Sequence, residues 1–278
     1  MSEISRMRLR PLLYTLAAFA ATSTGALPAW AADPVPMAAH RAVYKLALDT
    51  SRGDVTDASG QMNYEVTDAC DGWATRQRLA LNIVNRDGQD VELVSDYATW
   101  EAKDGLSMRF RMRQTTDTAV TDQVEGTATL DSPGGAGTVH YTVPEAKDMP
   151  LPAGTLFSMA HTEAIIAAAQ SGKKFLSVPI FDGTGDKGAQ DSFIVIGNWG
   201  ATAAAPYPAL AKLDSGKVHI SFFDRDAKPS KDKPSGSPDY EVGMTYYANG
   251  VANDLLMNFS DFTMHGTFTE FTETPPHC

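Results

Sequence analysis

The side chains able to do chemistry are thinly spread along this chain. Its six histidines are His40, His140, His161, His219, His265 and His277. They form no His-Glu-x-x-His pair, and no two lie close enough for a short-range metal site. His161 precedes Glu163 by two positions, a spacing that does not bring side chains together on a helix. It reads as a helix-surface or hydrogen-bonded core histidine, and His219 as an ordinary strand residue. The nucleophile elbow Gly-x-Ser-x-Gly and the phosphate-binding loop are absent from the sequence, and no glycine-rich run opens a helix as a dinucleotide fingerprint must. Residues 182–188 read DGTGDKG and place oxygen side chains at positions 1, 3 and 5 of a calcium loop. Lys187 then stands where that loop needs glycine, and Phe193 where it needs a bidentate glutamate. The segment reads as a glycine-aspartate turn. Neither a metal nor a cofactor is expected.

Two cysteines, Cys70 and Cys278, remain. A structural disulfide and a reactive thiol pair are the alternatives. The reactive pair lacks the Cys-x-x-Cys spacing and a basic cluster that would stabilise a thiolate. A bridge in an oxidising compartment would tie the carboxyl terminus to an early segment, with a stabilisation of roughly 5 kcal/mol as an upper figure. Arg109, Arg111 and Arg113 alternate with Met108, Phe110 and Met112, and Arg76 and Arg78 recur in a similar run. The arginines form either an anion- or partner-binding surface or a solvated face paired with carboxylates. The apolar side is first of all core, although methionine also suits an adaptable, lipid-sized cavity.

The elements that must position these residues are mostly strands. Period-two alternation runs through 44–48, 62–66, 73–83 and 106–112, the pattern of half-buried antiparallel strands. Further strands are expected at 120–130, 138–143, 174–181, 191–196, 217–224, 241–248, 252–259 and 264–271. Asp87-Gly88 and residues 133–137 are turn signals. One stretch, 155–170, has helical spacing, with Thr155 as the expected N-cap and Gly172 as the stop. Residues 226–239, DAKPSKDKPSGSPD, form an exposed loop. The fold class is therefore mainly β: a large antiparallel, barrel-like or spiral sheet with one principal helix on its face or inside it.

With 34 Asp+Glu against 23 Lys+Arg, the 278-residue chain carries a formal charge of -11. That excludes non-specific binding to nucleic acid or to anionic lipid surfaces. Arg6, Arg8 and Arg10, the apolar run 11–21 and Ala29-Trp30-Ala31 form the pattern of a cleaved signal peptide, residues 1–31. The apolar run is too short for a hydrocarbon core that needs about 20 residues. Residues 32–278 are then a single exported domain, most simply in a bacterial periplasm.

Several local motifs carry a family resemblance. They are His40-Arg41-Ala42-Val43-Tyr44, Asp68-Ala69-Cys70-Asp71-Gly72-Trp73, Leu151-Pro152-Ala153-Gly154-Thr155-Leu156-Phe157, Phe181-Asp182-Gly183 and the terminal cysteine. With the signal segment, they make the chain resemble the EipB family of alphaproteobacterial cell-envelope integrity proteins over nearly all of residues 32–278. The resemblance implies a monomeric periplasmic protein built as a broken, spiral-like barrel holding a helix. It implies a disulfide at Cys70 and Cys278 and a functional link to a periplasmic tetratricopeptide-repeat protein. It also implies a fold like that of periplasmic lipoprotein carriers, without enzymatic activity. The expected function is a non-enzymatic factor maintaining envelope integrity by binding a lipid, a lipoprotein or a protein partner. Met108, Phe110, Phe157 and Ile166 are the expected ligand contacts, and Arg109, Arg111 and Arg113 the expected anion or partner surface. A ligand-free scaffold is the alternative, and an envelope hydrolase a third reading.

Overall fold

The computed structural model describes residues 35–226, 236–259 and 261–275. The expected signal segment, Cys278 and most of the loop at 226–239 lie outside them. In chain order the elements are β1 (His40–Ser51), β2 (Val55–Asp68), β3 (Gly72–Asn85), β4 (Asp90–Ala102), β5 (Ser107–Thr116), β6 (Ala119–Leu130), β7 (Gly137–Val143) and β8 (Lys147–Leu151). Then come α1 (Ser158–Gln170), β9 (Phe175–Ile180), β10 (Gln190–Ala201), β11 (Asp214–Asp224), β12 (Tyr240–Tyr247), β13 (Ala252–Asn258) and β14 (Phe262–Glu273).

All fourteen described strands belong to one sheet, ordered β8-β7-β6-β5-β4-β3-β2-β1-β14-β13-β12-β11-β10-β9. Neighbours in sequence are neighbours in the sheet, and β1 pairs antiparallel with β14. Among the described residues the sheet does not close. Its two edges, β8 and β9, flank α1 in the sequence, so the helix connection spans the one interruption in the strand order. Pro150 and Pro179 lie in these edge strands, where a residue without an N–H is tolerated. β8 escapes detection by alternation because it is short and contains Pro150.

The alternation read from β5 is the alternation that packs. Met108, Phe110 and Met112 are buried, while Arg109, Arg111 and Arg113 face solvent. Phe110 meets Phe181 at 5.2 Å and Tyr141 at 5.7 Å, both edge to edge-on ring face. Phe157 meets Phe181 at 6.3 Å in the same manner. Such T-shaped pairs stabilise beyond simple area burial. Gly183 has a positive φ of 72°, and a Cβ there would come within 2.5 Å of the Phe110 ring. Only glycine allows the turn to lie against that ring. The segment entering α1 and the turn after β9 thus meet on β5 and β7. Leu156 pairs with the edge strand directly: its N–H donates to Pro179 O at 3.0 Å, and Phe181 N–H donates to Leu156 O at 2.9 Å.

The helix begins later than its sequence pattern indicates. Its N-cap is Phe157, which offers no side-chain cap. Thr155, the expected cap, is buried and donates its hydroxyl to Pro152 O at 2.7 Å. The cap comes from β4: Met159 N–H and Ala160 N–H donate to the Glu101 carboxylate at 2.7 and 2.8 Å. Gly172, with φ 79°, ends the helix as expected, and Lys173 N–H returns to Ala168 O at 3.0 Å.

Urea denaturation tests the packing of β5. Phe110→Ala should cost about 3–5 kcal/mol, whereas Arg109→Ala, which removes a guanidinium 4.4 Å over the Trp100 ring, should cost about 0.5–1 kcal/mol. Equal losses would contradict the alternation.

Candidate functional site

The interior is filled on one side and hollow on the other. Around Phe110 the aromatic cluster leaves a closed core. Where β1 and β2 face β12 and β13, the side chains leave a cavity of about 440 Å³. Five methionines line it: Met37, Met62, Met159, Met244 and Met257. Tyr44, Tyr64, Tyr240, Tyr246 and Phe222 supply its aromatic walls. Methionine is unbranched and polarisable, so a wall of this kind repacks around irregular apolar shapes. The strand register explains the clustering. Tyr44 lies opposite Met62, and Val242 opposite Met257, on inward-facing positions of paired strands.

A second lobe of about 430 Å³ adjoins the first and shares Tyr64, Gln77, Met159, Thr162, Met244 and Tyr246 with it. Its other walls carry hydroxyls and amides, among them Thr75, Ser95, Thr99, Gln114 and Ser158. These follow from register too: Thr75 pairs with Thr99, and Ser95 with Gln114, on the inward face of β3, β4 and β5. The hollow is amphipathic along its length.

Among the described residues, one carboxylic acid and two histidines are buried at this interior. Glu101 is 2% exposed, and burial pushes its carboxyl up to about 7, against the pull of the two helix N–H groups. His40 donates from Nδ1 to Ala38 O at 2.8 Å, and its Nε2 is buried with no hydrogen-bond partner. Burial lowers its pKa, which keeps it neutral. His161 is held down to about 4 by burial and lies 2.9 Å from Ser192 Oγ. That distance is the one a nucleophile and base would show. The Ser192 hydroxyl, however, donates to Val178 O at 2.7 Å, so the imidazole Nε2 carries the proton and donates to Oγ. The direction is opposite to that of a general base. His161 is a core histidine fastening α1 to β10.

The turn 182–188 has its oxygens engaged. Asp182 Oδ1 accepts from Thr184 N–H at 2.9 Å and from its hydroxyl at 2.8 Å, while Asp186 pairs with Lys147 at 2.8 Å. Tyr97 donates its hydroxyl to Asp182 O, and Tyr141 accepts from Gly188 N–H at 2.9 Å. These bonds hold the turn on the inner face of β4 and β7.

Sequence reasoning placed ligand contacts at Met108, Phe110, Phe157 and Ile166. All four are buried, and none lines either lobe. The methionines and tyrosines that do line the hollow show only a weak signal in sequence, namely methionine recurring at inward strand positions. Arg111 and Arg113 face an outer groove together with Arg41, Arg76 and Arg78. There Arg78 pairs with Asp96 at 2.7 Å and Arg41 with Glu65 at 3.1 Å. Arg109 stands beside the groove on Trp100. Cys70 occupies the β2–β3 turn, with φ 71° and its N–H on Asp68 Oδ1 at 2.9 Å.

Comparison with known proteins adds a family. Residues 31–275 match the family model described as EipB-like. The chain belongs to the EipB-like family. It is 30% identical over 244 residues to the cell envelope integrity protein EipB of Brucella abortus, covering 85% of this chain and 84% of that protein. It also superimposes on the crystal structure of a beta-barrel-like protein of a domain of unknown function from Brucella abortus. That match has a TM-score of 0.78 at 26% identity and covers 87% of this chain and all of the other. The open, mainly antiparallel sheet with its helix is thus the fold of this EipB-like chain, as the motifs implied. Two of those motifs find physical roles: His40 and Tyr44 of the first share the cavity wall, and Phe181-Asp182-Gly183 closes on Phe110. No helix among the described residues is long and apolar enough to cross a membrane.

The buried acid and the buried base have opposite pH dependences. Glu101 binds protons more tightly folded than unfolded. Its contribution to stability is therefore fully present below about pH 4.5 and is lost as the pH rises through about 7. The lowered His161 contributes fully above pH 6.5, and its contribution is lost as the pH falls toward 4. Glu101→Gln, which keeps one acceptor for the helix, should remove only the first dependence. Its melting temperature should then rise more steeply between pH 5 and 7 than that of the unaltered protein. Parallel melting profiles would show that Glu101 does not titrate in this range.

Proposed function

We propose that this protein is a periplasmic envelope-integrity factor that works by holding an apolar ligand, a lipid or the lipid part of a lipoprotein, inside its open sheet. The observation that carries the reading is the methionine-lined cavity of about 440 Å³. Its size and lining are those of a small-molecule site. The name of the Brucella abortus relative supports the envelope role. Periplasmic placement rests on the signal-peptide pattern of residues 1–31. A scaffold whose interior is all core would leave no such space, so the carrier reading is favoured. The direction of the His161–Ser192 hydrogen bond speaks for binding without catalysis. A periplasmic tetratricopeptide-repeat protein is the proposed functional partner, and the working form a monomer.

The proposed disulfide between Cys70 and Cys278 suits this design. Glu273, the last residue of β14, pairs with His40, which pairs with Val66 four residues before Cys70. The five residues from there to Cys278 reach roughly 17 Å when extended, enough to cross two strand spacings of about 4.8 Å each. The bridge would staple the seam between β1 and β14 at one end.

Two measurements test these points. Native mass spectrometry of protein purified without detergent from its own periplasm should show added mass of several hundred daltons that organic extraction removes. A bare polypeptide mass, together with no uptake of apolar probes, would leave the scaffold reading. Peptide mapping without reductant should recover Cys70 joined to Cys278, and Cys70→Ser should cost about 2–5 kcal/mol. Two freely alkylated cysteines would exclude the bridge.

A further inference from the structure

The proposed apolar site has a second property, which concerns the other end of its ligand. The arginines of β1, β3 and β5 are kept to the outer face of the sheet. Arginines 41, 76, 78, 111 and 113 all face the outer groove. Among the described residues, neither lobe of the hollow is lined by a lysine or an arginine. The charged groups that do line it are carboxylates, Asp182 at both lobes and Asp122 at the polar one. An anionic head drawn into this space would lose its hydration, meet no cation and face like charge. That combination is strongly unfavourable.

The hydrogen-bonding inventory has the same direction. His40 lines the apolar lobe and is 2% exposed. Its Nδ1–H is used on Ala38 O, which leaves Nε2 as a lone-pair acceptor, and this atom is buried without a donor. A buried acceptor left unmet is unfavourable, and a ligand donor that reached it through a small shift of the side chains covering Nε2 would recover that cost. The polar lobe adds hydroxyls and amides that both donate and accept, at Thr75, Thr99, Gln77 and Gln114. Neutral donor-bearing groups can satisfy all of these, whereas a carboxylate or phosphate brings only acceptors.

Resting on the carrier reading above, we infer that the cavity takes an amphiphile whose head is uncharged and bears hydroxyl or amide N–H donors, with one donor meeting His40 Nε2, and that it rejects the same chain bearing a carboxylate or phosphate. The ligand class is that of acylglycerols and N-acyl amides.

A panel of twelve-carbon compounds tests this, by displacement of the fluorescent apolar probe diphenylhexatriene from the full mature chain. Monolauroylglycerol and lauroyl ethanolamide should compete at least tenfold more strongly than laurate and dodecyl phosphate at pH 7.5. His40→Phe should lower monolauroylglycerol affinity about tenfold relative to that of diphenylhexatriene, and His40→Gln, which restores an acceptor, should recover it. Asp122→Lys, at an exposed wall of the polar lobe, should raise laurate affinity several-fold relative to that of monolauroylglycerol. Melting curves of each variant confirm that the fold is retained. If laurate competes as well as monolauroylglycerol, the selectivity is overturned while the apolar site stands. If His40→Phe leaves monolauroylglycerol affinity intact, the role of His40 is overturned. If diphenylhexatriene itself does not bind, the carrier reading fails, and the inference with it.

Discussion

The carboxylate of Glu101 holds this structure together at its least regular point. A sheet whose edges do not pair must be completed by something else, and here the helix connection spans the interruption. A helix N-terminus presents N–H groups with no partner inside the helix. Two of these are met by Glu101, which reaches them from a central strand and also places negative charge at the positive end of the helix dipole. The interaction runs from β4 to α1, and from α1 the chain passes directly to the edge strand β9. The cost is a buried acid whose ionised form is disfavoured, as its raised pKa records.

Closure by a helix divides the interior unequally. On the β5–β7 side, Phe157 and Phe181 arrive from both sides of the interruption and fill the space against Phe110 and Tyr141. On the other side, the sheet continues through β1, β14 and β13, and its inward side chains include flexible methionines and tyrosines, among them Tyr44, whose hydroxyl donates to Ala252 O at 2.6 Å. Close packing there would need larger or additional side chains. The same open topology therefore yields a filled core around Phe110 and a hollow between β1, β2, β12 and β13.

The outward placement of the arginines follows from strand geometry as well. Because successive side chains alternate between faces, Arg109, Arg111 and Arg113 cannot enter the interior while Met108, Phe110 and Met112 do. Neighbouring strands in register extend this into a rung, Arg41–Glu65–Arg76–Ala98–Arg111–Glu125, across six strands of the outer surface. Five arginines thereby face one outer groove, interleaved with carboxylates, and among the described residues no lysine or arginine lines the cavity.

What the sequence determined by itself was everything with a short repeat. Alternation located most strands and the faces of β5, the Asp87-Gly88 and 133–137 turns were recognisable, Gly172 marked the helix end, and local motifs sufficed to place the chain among EipB-like proteins. These features depend on residues within a few positions of one another. The tertiary structure decided the rest, because it depends on which distant positions meet. Thr155 looked like the helix cap because cap rules are local, yet the cap is Glu101, 58 residues before Met159. Phe110 and Phe157 looked like ligand contacts because they are large, apolar and inward, yet Phe181 arrives to cover them. Met62, Met244 and Met257 stand at inward strand positions as well, yet beside them a space stays open. A filled core and a cavity have the same inward-facing apolar pattern in sequence, and they differ only in whether a side chain from another strand or turn occupies the space between.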